Sequence, residues 1–513
     1  MSALLLGIDI GTSSSKGVLT RPDGTVVAQA HVPHAVSSPH PGWAEQDAER
    51  VWWADVVELC RRLLPGAEAS VAAVCVSGIG PCLLPVDTTG RPLRPAILYG
   101  VDTRATREIG ELTRRYGEES LLRRGGSILT SQAVGPKLAW LRRNEPEVYA
   151  RTDRFLMASS YAVERLTGEY ILDHHSASQC DPLYDLHTAS WIEEIAAEVA
   201  PGVRLPRLLW SGEVAGRVTA AAAWETGIPV GTPVAAGTID AWAEALSVGG
   251  REPGDCMLMY GTTMFLLEVL DRPVADRRLW ATRGVTPGTA NLAGGMATSG
   301  AVTDWLRRLA GGRFEDLTAE ATEVPAGSEA LVMLPYFAGE RTPLFDPDAR
   351  GAVLGLTLQH GRAHLYRAAL EATAYAVLHH LEVMGEAGAA PSRLIAVGGG
   401  TTGDLWTQIV SDVTGRAQDL PEQRIGASYG DALLAARAVG LADEGTTWAT
   451  IGRTVRPRAE NRAVYQELYT IYRELYPATR QQAHRLAAHQ RGIAPAPGTN
   501  SSTPPAAGGS VVG

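Results

Sequence analysis

The chain has 513 residues, 45% of them hydrophobic and 20% charged, with a formal net charge of −10 at pH 7; this is the balance of a soluble globular protein with two or three cored domains. The acidic balance excludes nucleic-acid backbones and anionic membranes as main partners, because both need basic patches, while a local pocket for a phosphorylated ligand stays open. No run approaches the ~20 apolar residues that span a bilayer, and five scattered cysteines without a CxxC pair (Cys60, Cys75, Cys82, Cys180, Cys256) point to neither a zinc site nor a disulfide framework but to reduced thiols and a cytoplasmic setting.

The first element is an apolar strand that reaches Asp9 and then Gly11-Thr12-Ser13-Ser14-Ser15-Lys16. It is short, lacks a basic flank and is broken by Asp9, so it reads as a core strand and not as a signal peptide. The glycine and hydroxyl run suggests a phosphate site, but Lys16 is followed by Gly17 where a P-loop needs Gly-Lys-Ser/Thr, and Gly7, Gly11 and Gly17 do not keep a dinucleotide spacing. Val18 and Leu19, the turn at Pro22-Asp23-Gly24, and Val26 to Ala28 continue as strands. The run is therefore a hairpin tip. Its backbone N–H groups and hydroxyls can meet phosphate oxygens, and Asp9 can approach a magnesium ion; an ordinary polar turn is the competing reading.

Further along, 71–80 and 393–400 are β-rich runs ending in glycine, while 135–150 and 364–384 carry helical spacing. That alternation predicts α/β layers. The small residues of 364–384 suit a helix lying close to a sheet. At 231–250 an apolar strand reaches Gly237, Thr238, Ile239 and Asp240 before a helical pattern begins. Asp240 is either a helix cap or a carboxylate aimed into a ligand site at a strand end. Residues 256–270 then echo 5–19, with Gly261-Thr262-Thr263 in the place of Gly11-Thr12-Ser13. Two matching hairpins suggest a duplicated fold whose halves face each other across a cleft. His174-His175 lacks further ligands at metal spacing and reads as loop or sheet edge. The Pro/Gly/Ser/Ala-rich stretch 493–513 is expected to be a disordered tail.

Together these residues resemble the FGGY carbohydrate kinases over nearly the whole ordered chain. The most specific match is 351–371, with Gly351, Gly355-Leu356, His364-Leu365 and Ala368-Ala369-Leu370-Glu371 at the spacing of the family's second signature. Lys137, Trp140 and Asn144 match the first signature, with Val134 where the family prefers Pro, Ser or Thr; 334–351, 397–417 and 425–435 resemble further family segments.

The resemblance implies a duplicated actin/hexokinase-type (ribonuclease H-like) α/β fold of two lobes with an interlobe cleft. The expected divisions are 1–245, 246–440, a helical extension 441–492 and the tail. It implies ATP and Mg2+, with Asp9 at the metal, Gly11, Thr12, Ser13 and Lys16 on one side of the phosphates, Gly261, Thr262 and Thr263 on the other, and Gly398, Gly399 and Gly400 beside adenine and ribose. Asp240 becomes the base. Gly80, Tyr99, Asp102, Arg104 and Asp240 fall on the sugar side. Ile79-Gly80-Pro81 stands where xylulose kinases tend to have Gln-Met-His, and Tyr99 stands for the usual Trp with an extra residue before Asp102. The sugar or polyol therefore stays open, a ketopentose such as xylulose included, and the assembly state leaves room for a homodimer. A nucleotide-driven switch of the same fold and a non-catalytic sugar sensor remain as alternatives.

Overall fold

A computed structural model of the chain describes residues 3–67 and 71–492, and the tail expected at 493–513 lies outside the described residues. The chain divides into two compact units. The first comprises the chain up to Pro253 with Val269–Asn291 and Ile425–Ala449, and the second comprises Gly254–Glu268, Leu292–Arg424 and the chain from Thr450 on.

The first unit is built on a six-stranded sheet. Its strands are β1 (Leu4–Ile10), β2 (Ser14–Thr20), β3 (Val26–Pro33), β4 (Val71–Gly78), β5 (Val214–Arg217) and β6 (Pro233–Ala235), in the spatial order β5-β6-β4-β1-β2-β3. β1 is buried along its whole length, as its uninterrupted apolar run requires for a central strand, whereas the alternating burial of β3 is that of an edge strand with one wet face. β2 runs antiparallel to β1 with Asp9 opposite Lys16, and β4 runs parallel to it with Asp9 opposite Ser77.

The second unit repeats this plan. Its strands are β7 (Asp255–Tyr260), β8 (Met264–Leu270), β9 (Ala290–Met296), β10 (Arg393–Val397), β11 (Gln418–Pro421) and β12 (Ile451–Val455), ordered β9-β8-β7-β10-β11-β12. β7 pairs antiparallel with β8 and parallel with β10. β11 then joins parallel and β12 antiparallel, the same succession that β4, β6 and β5 make beside β1. The echo between 5–19 and 256–270 is thus a repeat of sheet topology.

Two expectations are corrected. The small residues of helix α1 (Arg362–Glu386) serve close approach of other helices, among them α2 (Asp404–Thr414), more than of a sheet, with the short strand Val332–Leu334 alongside. The stretch after residue 441 is not purely helical, because Ile451–Val455 carries β-branched residues and adds to the sheet edge before the helix Arg462–Gly492.

Back in the first unit, helix Ala427–Ala438, here α4, packs on β1 and on α3 (Asp240–Ser247), the helix that Asp240 begins. Both approaches depend on glycine. A Cβ on Gly7 would overlap the Ser428 carbonyl oxygen, and one on Gly430 would overlap the Ala243 carbonyl oxygen. Alanine at 430 would gain up to ~1 kcal/mol in helix propensity, but overpacking against fixed backbone costs about 1–3 kcal/mol or more. Gly430→Ala is therefore expected to lower the melting temperature; an unchanged or raised midpoint in thermal unfolding would show that α3 and α4 have slack.

Candidate active site

The carboxyl ends of β1, β4 and β6 converge, and the chemistry-bearing residues of the first unit sit there. Gly78 N–H donates to the Thr238 carbonyl at 3.2 Å, and Ile79 N–H to the Ile10 carbonyl at 2.8 Å. Gly237 takes φ 73° and lies so close to the Val76 carbonyl that no side chain fits. The chain can then turn sharply from β6 into α3. Ile239 is the cap residue and Asp240 is the first residue of the helix, with its Oδ1 accepting from Ala241 N–H at 2.7 Å.

Asp9 and Asp240 face each other electrostatically. Burial raises the Asp9 carboxyl well above the ordinary carboxylate range, and Asp240 raises it further while Lys16 draws it down. Burial also lifts Asp240 to about 6, against the opposing pull of Ala241 N–H and Lys16. Asp9 is 7% exposed, and its Oδ1 is buried with no hydrogen-bond partner.

Two acids that the sequence reading missed belong to this cluster. Glu244 lies one turn beyond Asp240 on α3, raised by burial and held by the Ala427 backbone and by Lys16. Asp431 on α4 accepts from Ser77 Oγ at 2.6 Å and is raised well above its usual range by burial, with Asp9 adding to the effect. The i,i+4 spacing of Asp240 and Glu244 is a legible same-face signal; Asp431 arrives from the far end of the chain and has none.

The hairpin tip is fixed from below. Gly11 N–H donates to Ser14 carbonyl, Gln46 Nε2 donates to Thr12 carbonyl at 2.9 Å, Ser13 carbonyl accepts from His34 N–H, and Thr12 Oγ1 lies 3.1 Å from Tyr99 Oη. Thr12 and Tyr99, assigned to phosphate and sugar respectively, are hydrogen-bonded neighbours. Gly80 packs against Ile239, where a Cβ would press on the Ile239 side chain at 2.7 Å.

Asp102 and Arg104 do not meet the expectation of a ligand-facing pair. Both side chains are 0% exposed and are bonded to each other, Arg104 Nη2 donating to Asp102 Oδ2 at 2.7 Å. Asp102 also accepts from Ala44 N–H, and Arg104 pairs with Glu45 and lies 3.8 Å over the Trp43 ring and 5.0 Å from Trp140. The Arg104 Nε and Nη2 donors are spent on the Asp102 carboxylate, and Nη1 is ion-paired with Glu45 without a hydrogen bond. His174 and His175 form a helical turn at His174–Ala177 instead of a loop or sheet edge. His175 stacks 3.8 Å from Trp242 and is pushed down to about 3 by burial, hence neutral. Among the described residues no group of three or more His, Cys, Asp or Glu side chains is placed to hold a metal alone.

In the second unit the two remaining expected segments come together on Tyr260. The turn Gly261-Thr262-Thr263 is held by Ser299 and Ala301 N–H donating to the Thr262 carbonyl, both at 3.0 Å. Gly398, at φ 93°, passes so near that a Cβ would lie 2.5 Å from the Tyr260 carbonyl oxygen. Gly400 lies under Trp406, whose ring meets Tyr260 edge-on at 5.3 Å, while around Gly399 a Cβ would meet nothing within 4 Å.

The sequence profile of the FGGY family of carbohydrate kinases matches this chain twice, with its N-terminal domain at 4–247 and its C-terminal domain at 256–439. The chain belongs to the FGGY family of carbohydrate kinases. It is 31% identical to the xylulose kinase of Escherichia coli K12 over 92% of this chain and 98% of that protein. To the gluconokinase of Bacillus subtilis it is 27% identical over 96% of this chain and 99% of that one. The crystal structure of xylulose kinase from Rhodospirillum rubrum superposes with a TM-score of 0.86 at 35% identity, covering 94% of this chain and all of that one. The FGGY fold of two domains, and a carbohydrate kinase activity, follow for this chain.

Proposed function

We propose that the chain transfers the γ-phosphate of ATP to a hydroxyl of a small sugar or polyol, with a ketopentose such as xylulose as the leading acceptor, and that Asp240 is the base. The observation that carries the reading is the placement of Asp240. It is a half-buried carboxylate at the first turn of α3, lifted to about 6 by desolvation, beside the Asp9–Lys16 hairpin. An ordinary aspartate at ~3.9 is a poor base; one near 6 is still ionised at neutral pH and takes a proton more readily. It orients the attacking hydroxyl and accepts its proton late, as a loose phosphoryl-transfer transition state requires.

Asp9 suits a magnesium ion. Its unpartnered, buried Oδ1 offers a hard oxygen ligand, and this ion is commonly held through one or two carboxylates, substrate phosphates and waters, without an all-protein cage. When bound, it would supply charge neutralisation at the phosphates. By the family resemblance Thr12, Ser13 and Lys16 would meet the phosphates, as would Gly261 to Thr263, and the space at Gly399, where a Cβ would meet nothing within 4 Å, would leave room for adenine and ribose beside Gly398 and Gly400. Asp102 and Arg104 would act by fastening the segment that presents Tyr99. Among the described residues no helix is long and apolar enough to cross a membrane, and the five buried free cysteines support a reducing, cytoplasmic setting.

The acceptor choice rests on the xylulose kinases among the relatives, and the gluconokinase relative makes sugar acids the necessary comparison. A coupled ADP-release assay across ketoses, aldoses, polyols and sugar acids tests the proposal. ADP release that rises with a ketopentose supports it; release indifferent to every acceptor overturns it, and release with a sugar acid alone replaces the acceptor.

A further inference from the structure

Asp173 is a buried carboxylate that the proposed chemistry does not use. It is 1% exposed and ends the strand Ile171–Asp173. Its Oδ2 accepts from three donors that belong to separate parts of the first unit. These are Ser176 N–H at 3.2 Å, Ser211 Oγ at 3.4 Å and Thr238 Oγ1 at 3.0 Å, while its Oδ1 is buried without a partner. Concentrating three donors on one oxygen is what an ionised acceptor does well and a neutral amide does poorly.

Thr238 is the informative member. It is 0% exposed, stands two residues before Asp240, and forms the middle of the turn that begins at Gly237. Its carbonyl accepts from Gly78 N–H, Gly237 N–H donates to the Ser211 carbonyl, and Gly78 bridges Ile239 in parallel register, so the backbone fixes the path of the turn. The bond from Thr238 Oγ1 to Asp173 adds a side-chain attachment to a separate strand end, and Ile239 rests on Gly80. The start of α3, and with it the direction of the Asp240 carboxylate, is set by these backbone bonds together with the Asp173–Thr238 bond.

We propose that Asp173 is a positioning residue for phosphoryl transfer, acting through the Thr238 hydroxyl to fix the turn that aims Asp240 at the attacking hydroxyl. This rests on the reading of Asp240 as the base. Misplacement of a reacting group by as little as ~1 Å can cost about a hundredfold in rate, so the bond matters to turnover more than to binding.

The test uses the full-length enzyme. Thr238→Val removes the hydroxyl and keeps the branched shape; Thr238→Ser keeps the hydroxyl. The expected result is a kcat lowered by about tenfold to a hundredfold in Thr238→Val, with KM for ATP and for the sugar within about twofold, and kcat restored to near wild type in Thr238→Ser. Asp173→Asn should lower kcat in the same direction, because an amide oxygen serves three donors poorly, and the double variant Asp173→Asn/Thr238→Val should lose less than the product of the two single losses, because both act on the Asp173–Thr238 bond. Asp240→Asn is measured in parallel. If Asp240→Asn has lost turnover while Thr238→Val keeps kcat within about twofold of wild type, the proposal is overturned and the base stands. If Asp240→Asn keeps its turnover, the assignment of the base is overturned and this proposal with it. Should Asp173→Asn fail to fold, the contrast between Thr238→Val and Thr238→Ser decides the matter alone.

Discussion

Asp240→Asn is expected to lower turnover by about 10²–10⁴-fold, the range that general-base assistance supplies, while the sugar still binds. The amide has the volume of the carboxylate and can still accept the bond from Ala241 N–H, so the start of α3 keeps its geometry. What it loses is the ability to take a proton. An interaction used only in the transition state lowers kcat and kcat/KM together, and that signature separates the base from a residue that merely holds the sugar. The pH profile gives an independent check. With Asp240 lifted to about 6 by burial, the wild-type kcat/KM is expected to fall as pH drops through about 6, because the base is then protonated in the free enzyme. An acid limb near pH 4, or turnover of the variant close to wild type, would mean that the carboxylate is only a structural start to the helix.

The parts of this site legible in the sequence are those encoded by local order. Asp9-x-Gly-Thr followed by resumed apolar alternation reads as a strand, tip and strand, and it is one. Gly261-Thr262-Thr263 repeats it, and the repeat extends to the succession of parallel and antiparallel neighbours in each sheet. Gly237 before Asp240 marks a turn, and its positive φ against the Val76 carbonyl explains why. The parts that were not legible are pairings across the chain. Asp102 and Arg104, two residues apart in a polar stretch, look like an open acceptor and donor. Only the fold brings Glu45, Trp43 and Trp140 around Arg104 and closes the pair. Asp431 sits in an alanine-rich helical run where nothing local distinguishes a solvated aspartate from one buried against Ser77. Asp173 next to two histidines drew attention to the histidines, whereas the carboxylate has the connections.

Asp9→Asn is expected to move stability and activity in opposite directions. In the wild-type protein without ligands, Asp9 is buried beside Asp240, with Asp431 and Glu244 close enough to act on the same site and Lys16 as the opposing charge. Its carboxyl is held well above the usual range by burial and then by the Asp240 charge, so the folded state prefers the proton more than the unfolded chain does. For such a group the contribution to stability is fully present below the unfolded pKa and is lost as pH rises through the folded one; at neutral pH the ionised cluster therefore opposes folding of the ligand-free protein. The amide removes one buried charge from it without changing its size. The melting temperature of ligand-free Asp9→Asn should accordingly exceed that of wild type at pH 7.5, and the gap should narrow as pH is lowered toward 4, where the wild-type acids take up their protons. Turnover should fall by about a hundredfold or more, since removal of a single preorganised electrostatic contact to a transition state commonly costs 10²–10³-fold. The magnesium concentration needed for half-maximal rate should rise, with sugar affinity unchanged. A variant that melts lower than wild type at neutral pH would show that Asp9 is held by attractive contacts and that the cluster is not strained. A variant with unaltered magnesium dependence would take Asp9 out of the metal's reach and leave its exposed partner Lys16, or the phosphates alone, to organise that end of the site.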